Sequence, residues 1–108
     1  MTENNRIRYS KIMITKEVHI SASTGIESAN LDGEAVILDV NSGLYYGLST
    51  VGARIMDFLK ETVQVRKIID SLETEYDVEK ERLESDILNF LNQMEDRGLV
   101  QVQDGEVA

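Results

Sequence analysis

The chain has no cysteine, no proline and no tryptophan, and only one histidine, His19. Without cysteine there is no disulfide framework, no thiolate nucleophile and no cysteine metal site. One histidine near the start supports neither a hydrolytic triad nor a zinc site, which needs further ligands around it. His19 therefore reads as a surface or edge residue. No apolar run approaches the roughly 20 residues of a membrane-spanning helix, and "MTENNRIRYSK" lacks the apolar core of a signal peptide. The composition suits a cytoplasmic chain. Glycines 25, 33, 43, 47, 52 and 98 never assemble into a phosphate loop or a dinucleotide fingerprint. Asp32 and Asp39 flank a strand without the pocket that paired-carboxylate chemistry requires. The residues argue for a chain that catalyses nothing and needs neither a metal nor an organic cofactor.

Bases are also scarce. Eleven Lys and Arg face 20 Asp and Glu, for a formal charge of −9. Residues 73–86, "ETEYDVEKERLESD", hold seven acids against two bases, while residues 1–16 hold four bases against one acid. Nucleic-acid binding needs a positive field over the phosphates, and this chain offers a mostly negative one. A winged-helix DNA-binding regulator, with residues 78–97 as its recognition helix, is the alternative that this charge disfavours. The acidic run is either a solvated helix face or a rim that attracts a basic partner.

At 108 residues there is room for one core of modest size. The alternation of "EAVILDV", 34–40, marks a strand, "NSG" at 41–43 reverses the chain, and "LYYGL" at 44–48 returns as its partner. "GIESAN" before "LDG" reads as a shorter strand over 26–31. After Leu48 the period changes from two to 3.6, giving helices over about 50–60, 65–75 and 78–97. Ser49 and Asp77 are placed to cap the first and third, and Gly98 stops the third. Gly52 lowers helix propensity in a first turn, so it implies a close approach to neighbouring backbone. The expected fold is α+β: a three-stranded antiparallel sheet packed on three helices, winged helix-turn-helix-like. Residues 1–25 form an arm, partly flexible or an extra pairing segment. Residues 26–102 form the domain, and 103–108 a flexible tail. With no proline to block it, one sheet edge is open to another chain.

The runs "ILDVNSGLYYGL", 37–48, and "FLNQMEDRGLV", 90–100, carry a resemblance. With the intervening "STVGARIMDFL" they are similar to the PqqD-like family, small peptide-recognition domains of pathways that modify ribosomally made peptides. Ser49 stands where the family commonly has asparagine, and Met56 where tryptophan is frequent. The resemblance covers about residues 26–102 and implies a non-catalytic chaperone that accepts a precursor leader peptide as an added strand. The leader would lie between the third strand and the third helix. A lasso-peptide pathway, with its separate protease and cyclase, is favoured over partnership with a radical-SAM enzyme.

On this reading Leu44, Tyr45, Tyr46, Gly47 and Leu48 pair with the leader, which is strand addition in physical terms. Tyr45 and Tyr46 point to opposite faces, so at most one lines the groove. Gly47 admits a close approach at a cost in strand propensity. On a helical wheel centred on Ile87, Leu91 falls within about 60° and Leu88 at about 100°, on the side of Glu84. Glu84, Ile87, Leu88 and Leu91 are the residues assigned to the helical wall, with the acidic flank favouring a basic leader residue. The expected partners are a leader peptide and a modifying enzyme, with no nucleic acid and no membrane. The arm or a sheet edge offers a surface for a homodimer.

Overall fold

The computed structural model describes residues 13–103. The elements run β1 (His19–Ala22), β2 (Ile26–Leu31), β3 (Glu34–Asp39), β4 (Leu44–Gly47), α1 (Thr50–Phe58), β5 (Val63–Gln64), α2 (Val65–Glu75), α3 (Lys80–Asp96) and β6 (Val100–Val102). The α+β class and the three helices agree with the sequence reading. The sheet content differs, because two antiparallel sheets are present, ordered β2-β3-β4 and β5-β1-β6.

The first sheet follows from local sequence. Leu31 pairs with Glu34, so Asp32 and Gly33 alone make the turn, with φ of 54° and 85°. Two positive φ values give the turn whose twist matches the flanking strands. After β4, the Ser49 hydroxyl accepts the Gly52 N–H at 3.0 Å and starts α1. Gly98 (φ 74°) ends α3: its N–H bonds the Glu95 carbonyl at 3.0 Å, and the Leu99 N–H bonds the Met94 carbonyl at 2.9 Å. That pair of bonds is the Schellman closure, and Leu99 is buried beneath it.

Asp77 does not cap α3. The helix begins at Lys80, with Glu79 in the cap position and no side-chain cap bond. Tyr76 is extended and Val78 is 48% exposed, so no fully buried apolar side chain draws the helix start back to 78. The first α3 side chain to reach the core is Leu83.

The second sheet has no local signal because its strands are short and come from distant parts of the chain. β1 lies between β5 and β6, pairing Ile20 with both Val63 and Val102. Further backbone bonds anchor this stretch, from Arg66 N–H to the Lys16 carbonyl and from Ser23 N–H to the Leu99 carbonyl. Ile14 and Ile20 are buried in the common core with Ile37, Ile55, Ile68, Leu72, Ile87 and Leu91. Within residues 13–22, Ile14 and Ile20 thus belong to the core, with Val18 and Ala22 packed against it. Residues 1–12 of the expected arm, and the tail from 104, lie outside the described residues.

Ile20→Ala should cost about 2–5 kcal/mol, as for other fully buried aliphatics. A chain beginning at Gly25 loses Ile14, Ile20 and β1 together and should show no cooperative thermal unfolding. A truncated chain that melts as sharply as the full one would contradict this packing.

Candidate functional site

The ladder of β3 determines which backbone groups stay free on its neighbours. Val40 N–H donates to the Gly25 carbonyl at 3.0 Å, and Leu48 N–H donates to the Ala35 carbonyl at 2.9 Å. Both bonds continue the β2–β3 and β3–β4 registers by one pair. Opposed residues in an antiparallel ladder alternate between bonded and non-bonded pairs. Residues 34, 36 and 38 of β3 thus bond to β2, while 35, 37 and 39 bond to Leu48, Tyr46 and Leu44. The N–H and C=O of Tyr45 and Gly47 point to the outer edge of β4. Among the described residues no strand neighbours that edge.

Side chains divide as a strand requires. Tyr46 and Leu48 turn inward and pack, half-buried, on the core, while Tyr45 is 62% exposed. Leu44 shares the Tyr46 face but lies beyond the core and is exposed. Gly47 has no conformational reason to be glycine, since its φ is not positive. A Cβ built there meets nothing within 4 Å. The space beside it is empty.

One flank of α3 meets the inner face of β4 at the helix's C-terminal end. The Arg97 guanidinium lies over the Tyr46 ring, 5.9 Å from its centroid. Phe90 packs against the first turn of α1, its ring 3.4 Å from where a Gly52 Cβ would stand. The close approach inferred for Gly52 is therefore to a side chain, the Phe90 ring, rather than to backbone. Between α1 and α3 lies a cavity of about 360 Å³, lined mainly by Val51, Ile55, Tyr76, Leu83, Ile87 and Phe90. At its mouth Arg82 and Asp86 approach to 3.8 Å.

Part of the expected wall lies elsewhere. Glu84 is on the opposite flank, where its carboxylate meets the Lys16 ammonium at 2.6 Å. That hydrogen bond holds the Glu84 carboxyl below its ordinary value. Leu88 occupies the same flank, between Glu84 and Asn92, whose side-chain oxygen accepts the Ile14 N–H at 3.3 Å. The wheel gave two flanks for α3, and the segment 14–16 covers the one carrying Glu84 and Leu88. Leu91 is fully buried; Ile87, also buried, reaches only the cavity wall. The structure thus joins Tyr46 to Arg97, and Phe90 and Asp86 to the cavity beside Ser49 and Gly52, while Glu84 and Leu88 lie on the other flank and Leu91 in the core. Phe90 was legible as a core residue only. Arg97 was legible as a base closing an otherwise acidic helix.

A family model described as "Coenzyme PQQ synthesis protein D (PqqD)" matches residues 34–100. The chain belongs to the PqqD family. Two solved structures resemble this PqqD-family chain. One, "TbiB1 in Complex with the TbiA(beta) Leader Peptide", is 32% identical, covers 82% of this chain and 99% of that one, and has a TM-score of 0.67. The other, "Lasso peptide synthetase B1 complexed with the leader peptide", is 27% identical, covers 76% and 96%, and also has a TM-score of 0.67. No curated protein matches in sequence. Among the described residues of this PqqD-family chain, no helix is long and apolar enough to cross a membrane, and no cluster of acids and histidine has metal-ligand spacing.

Gly52→Val tests the α1–α3 contact. The added carbons press on Ser49 Oγ, 3.3 Å from the built Cβ, and on the Phe90 ring. Overpacking of this kind should lower stability by about 1–3 kcal/mol, read by urea denaturation. An unchanged midpoint would mean that Phe90 does not rest there.

Proposed function

We propose that this chain captures the leader of a ribosomally made precursor peptide as an added strand on β4 and presents it to a modifying enzyme. The observation that carries the proposal is the open edge: Tyr45 and Gly47 offer two N–H and two C=O groups, outward, with no partner strand among the described residues. An edge in this state is a template for another chain. Gly47 keeps the approach clear, Arg97 lies over Tyr46 on the helix side, and Phe90 stands against the first turn of α1. The α1–α3 cavity is large enough for one apolar or aromatic side chain. Backbone pairing alone discriminates poorly between sequences, so the cavity supplies the anchor.

The two similar structures hold leader peptides, one of them on a lasso peptide synthetase component. That favours a lasso-type pathway, in which the bound leader is passed to a separate protease and cyclase. The chain's own part is binding. The residues argue against catalysis: there is no cysteine, and the single histidine stands exposed on β1, in the other sheet from β4. The net charge of −9 likewise disfavours the DNA-binding alternative.

The test is calorimetric titration with the leader encoded beside this gene, on the wild-type chain and on Gly47→Pro. Proline is tolerated where an edge N–H faces outward. It removes one donor to the leader without touching the β3 ladder. Affinity should fall by about 1 kcal/mol, roughly fivefold, with the thermal midpoint little changed. Saturating leader that gives no heat and no shift in melting would refute capture by this chain.

A further inference from the structure

We infer that the groove beside β4 selects a peptide segment bearing a carboxylate, recognised by Arg97, about four residues from the apolar anchor that enters the α1–α3 cavity. The inference rests on the strand-addition reading and names the chemistry of what is added. An acidic helix on a chain of charge −9 suggests the reverse, a preference for basic residues. The structure removes the basis for that preference. Glu84 lies on the far flank and is held by Lys16, and Asp86, at the groove, faces Arg82. Glu95 follows Glu84 around the helix, away from β4.

Arg97 differs from these. Its side chain is exposed, lies over Tyr46 on the inner face of the edge strand, and has no carboxylate partner among the described residues. The ring contact holds the guanidinium beside the inner face of β4. Such a fork accepts a carboxylate through two parallel hydrogen bonds, which an ammonium cannot match. Its place after the last turn of α3 also complements the carbonyl end of the helix. Any cation would do that equally well, so the Arg97 contact with Tyr46 is the distinguishing feature.

Spacing follows from the strand. Arg97 acts beside Tyr46, and the cavity opens beside Ser49 and Gly52. Both contacts lie on the helix side of the sheet. At about 3.3 Å per residue, with alternate side chains on one face, an even separation of about four positions spans the two.

The probe is a phage library of random dodecapeptides, selected on the full chain and on Arg97→Glu. The wild type should enrich Asp or Glu about four positions from a large apolar residue, and Arg97→Glu should enrich Lys or Arg there instead. In the best wild-type peptide, changing that acid to its amide should weaken binding about threefold, the scale of an exposed ion pair. The same change should have no effect on Arg97→Gln, which keeps a polar side chain of similar reach. Selected peptides that shift the Tyr45 and Gly47 amide resonances but show no charge preference overturn the role of Arg97 and leave strand addition standing. Peptides that bind without shifting those amides overturn both.

Discussion

A central strand can satisfy two neighbours only by giving each of them every second residue. β3 does this, with its even positions bonded to β2 and its odd positions to β4. β4 has no outer neighbour among the described residues, so half of its backbone groups remain unpaired by geometry rather than by flexibility. Everything proposed for this protein depends on that parity. A one-residue slip of the register would turn Tyr46 outward and bury Tyr45 in its place. The turn over residues 40–43, where Gly43 (φ 79°) donates its N–H to the Asp39 carbonyl at 2.8 Å, and the apolar load on Ile37 and Tyr46 hold the register against such a slip.

The remainder of the fold keeps that edge fixed in relation to a helix. Ser49 caps α1 directly after β4, Gly52 lets Phe90 approach, and the Gly98 closure ends α3 where Arg97 can reach Tyr46. The second sheet serves a different purpose. By pairing β1 with both β5 and β6 it ties residues 19–22, 63–64 and 100–102 together. It also brings Ile14 and Lys16 onto the flank of α3 that β4 does not use. One flank of α3 is closed by the chain itself, and the other faces the open edge.

Legibility in the sequence followed distance along the chain. The β3–β4 hairpin, the Ser49 cap and the Gly98 stop are written in adjacent residues, and each was found where expected. β1, β5 and β6 are two to four residues long, and their partners lie far away, so no alternation within any one of them declares a sheet. The choice of flank on α3 was open in the sequence for the same reason. A helical wheel places Leu88 beside Glu84 correctly, but only the contact with 14–16, a segment with no periodicity of its own, says which side is covered. The Asp77 cap was misjudged because a good capping residue does not start a helix where no apolar side chain follows into the core.

Hydrogen–deuterium exchange at single-residue resolution, with and without saturating leader peptide, reaches the parity of β4 directly. Tyr46 and Leu48 amides already bond to β3 and should be protected in both states. Tyr45 and Gly47 amides should exchange freely in the unbound chain and become protected when peptide binds. Protection that appears instead along β2, or binding that leaves Tyr45 and Gly47 exchanging as before, would contradict strand addition at this edge.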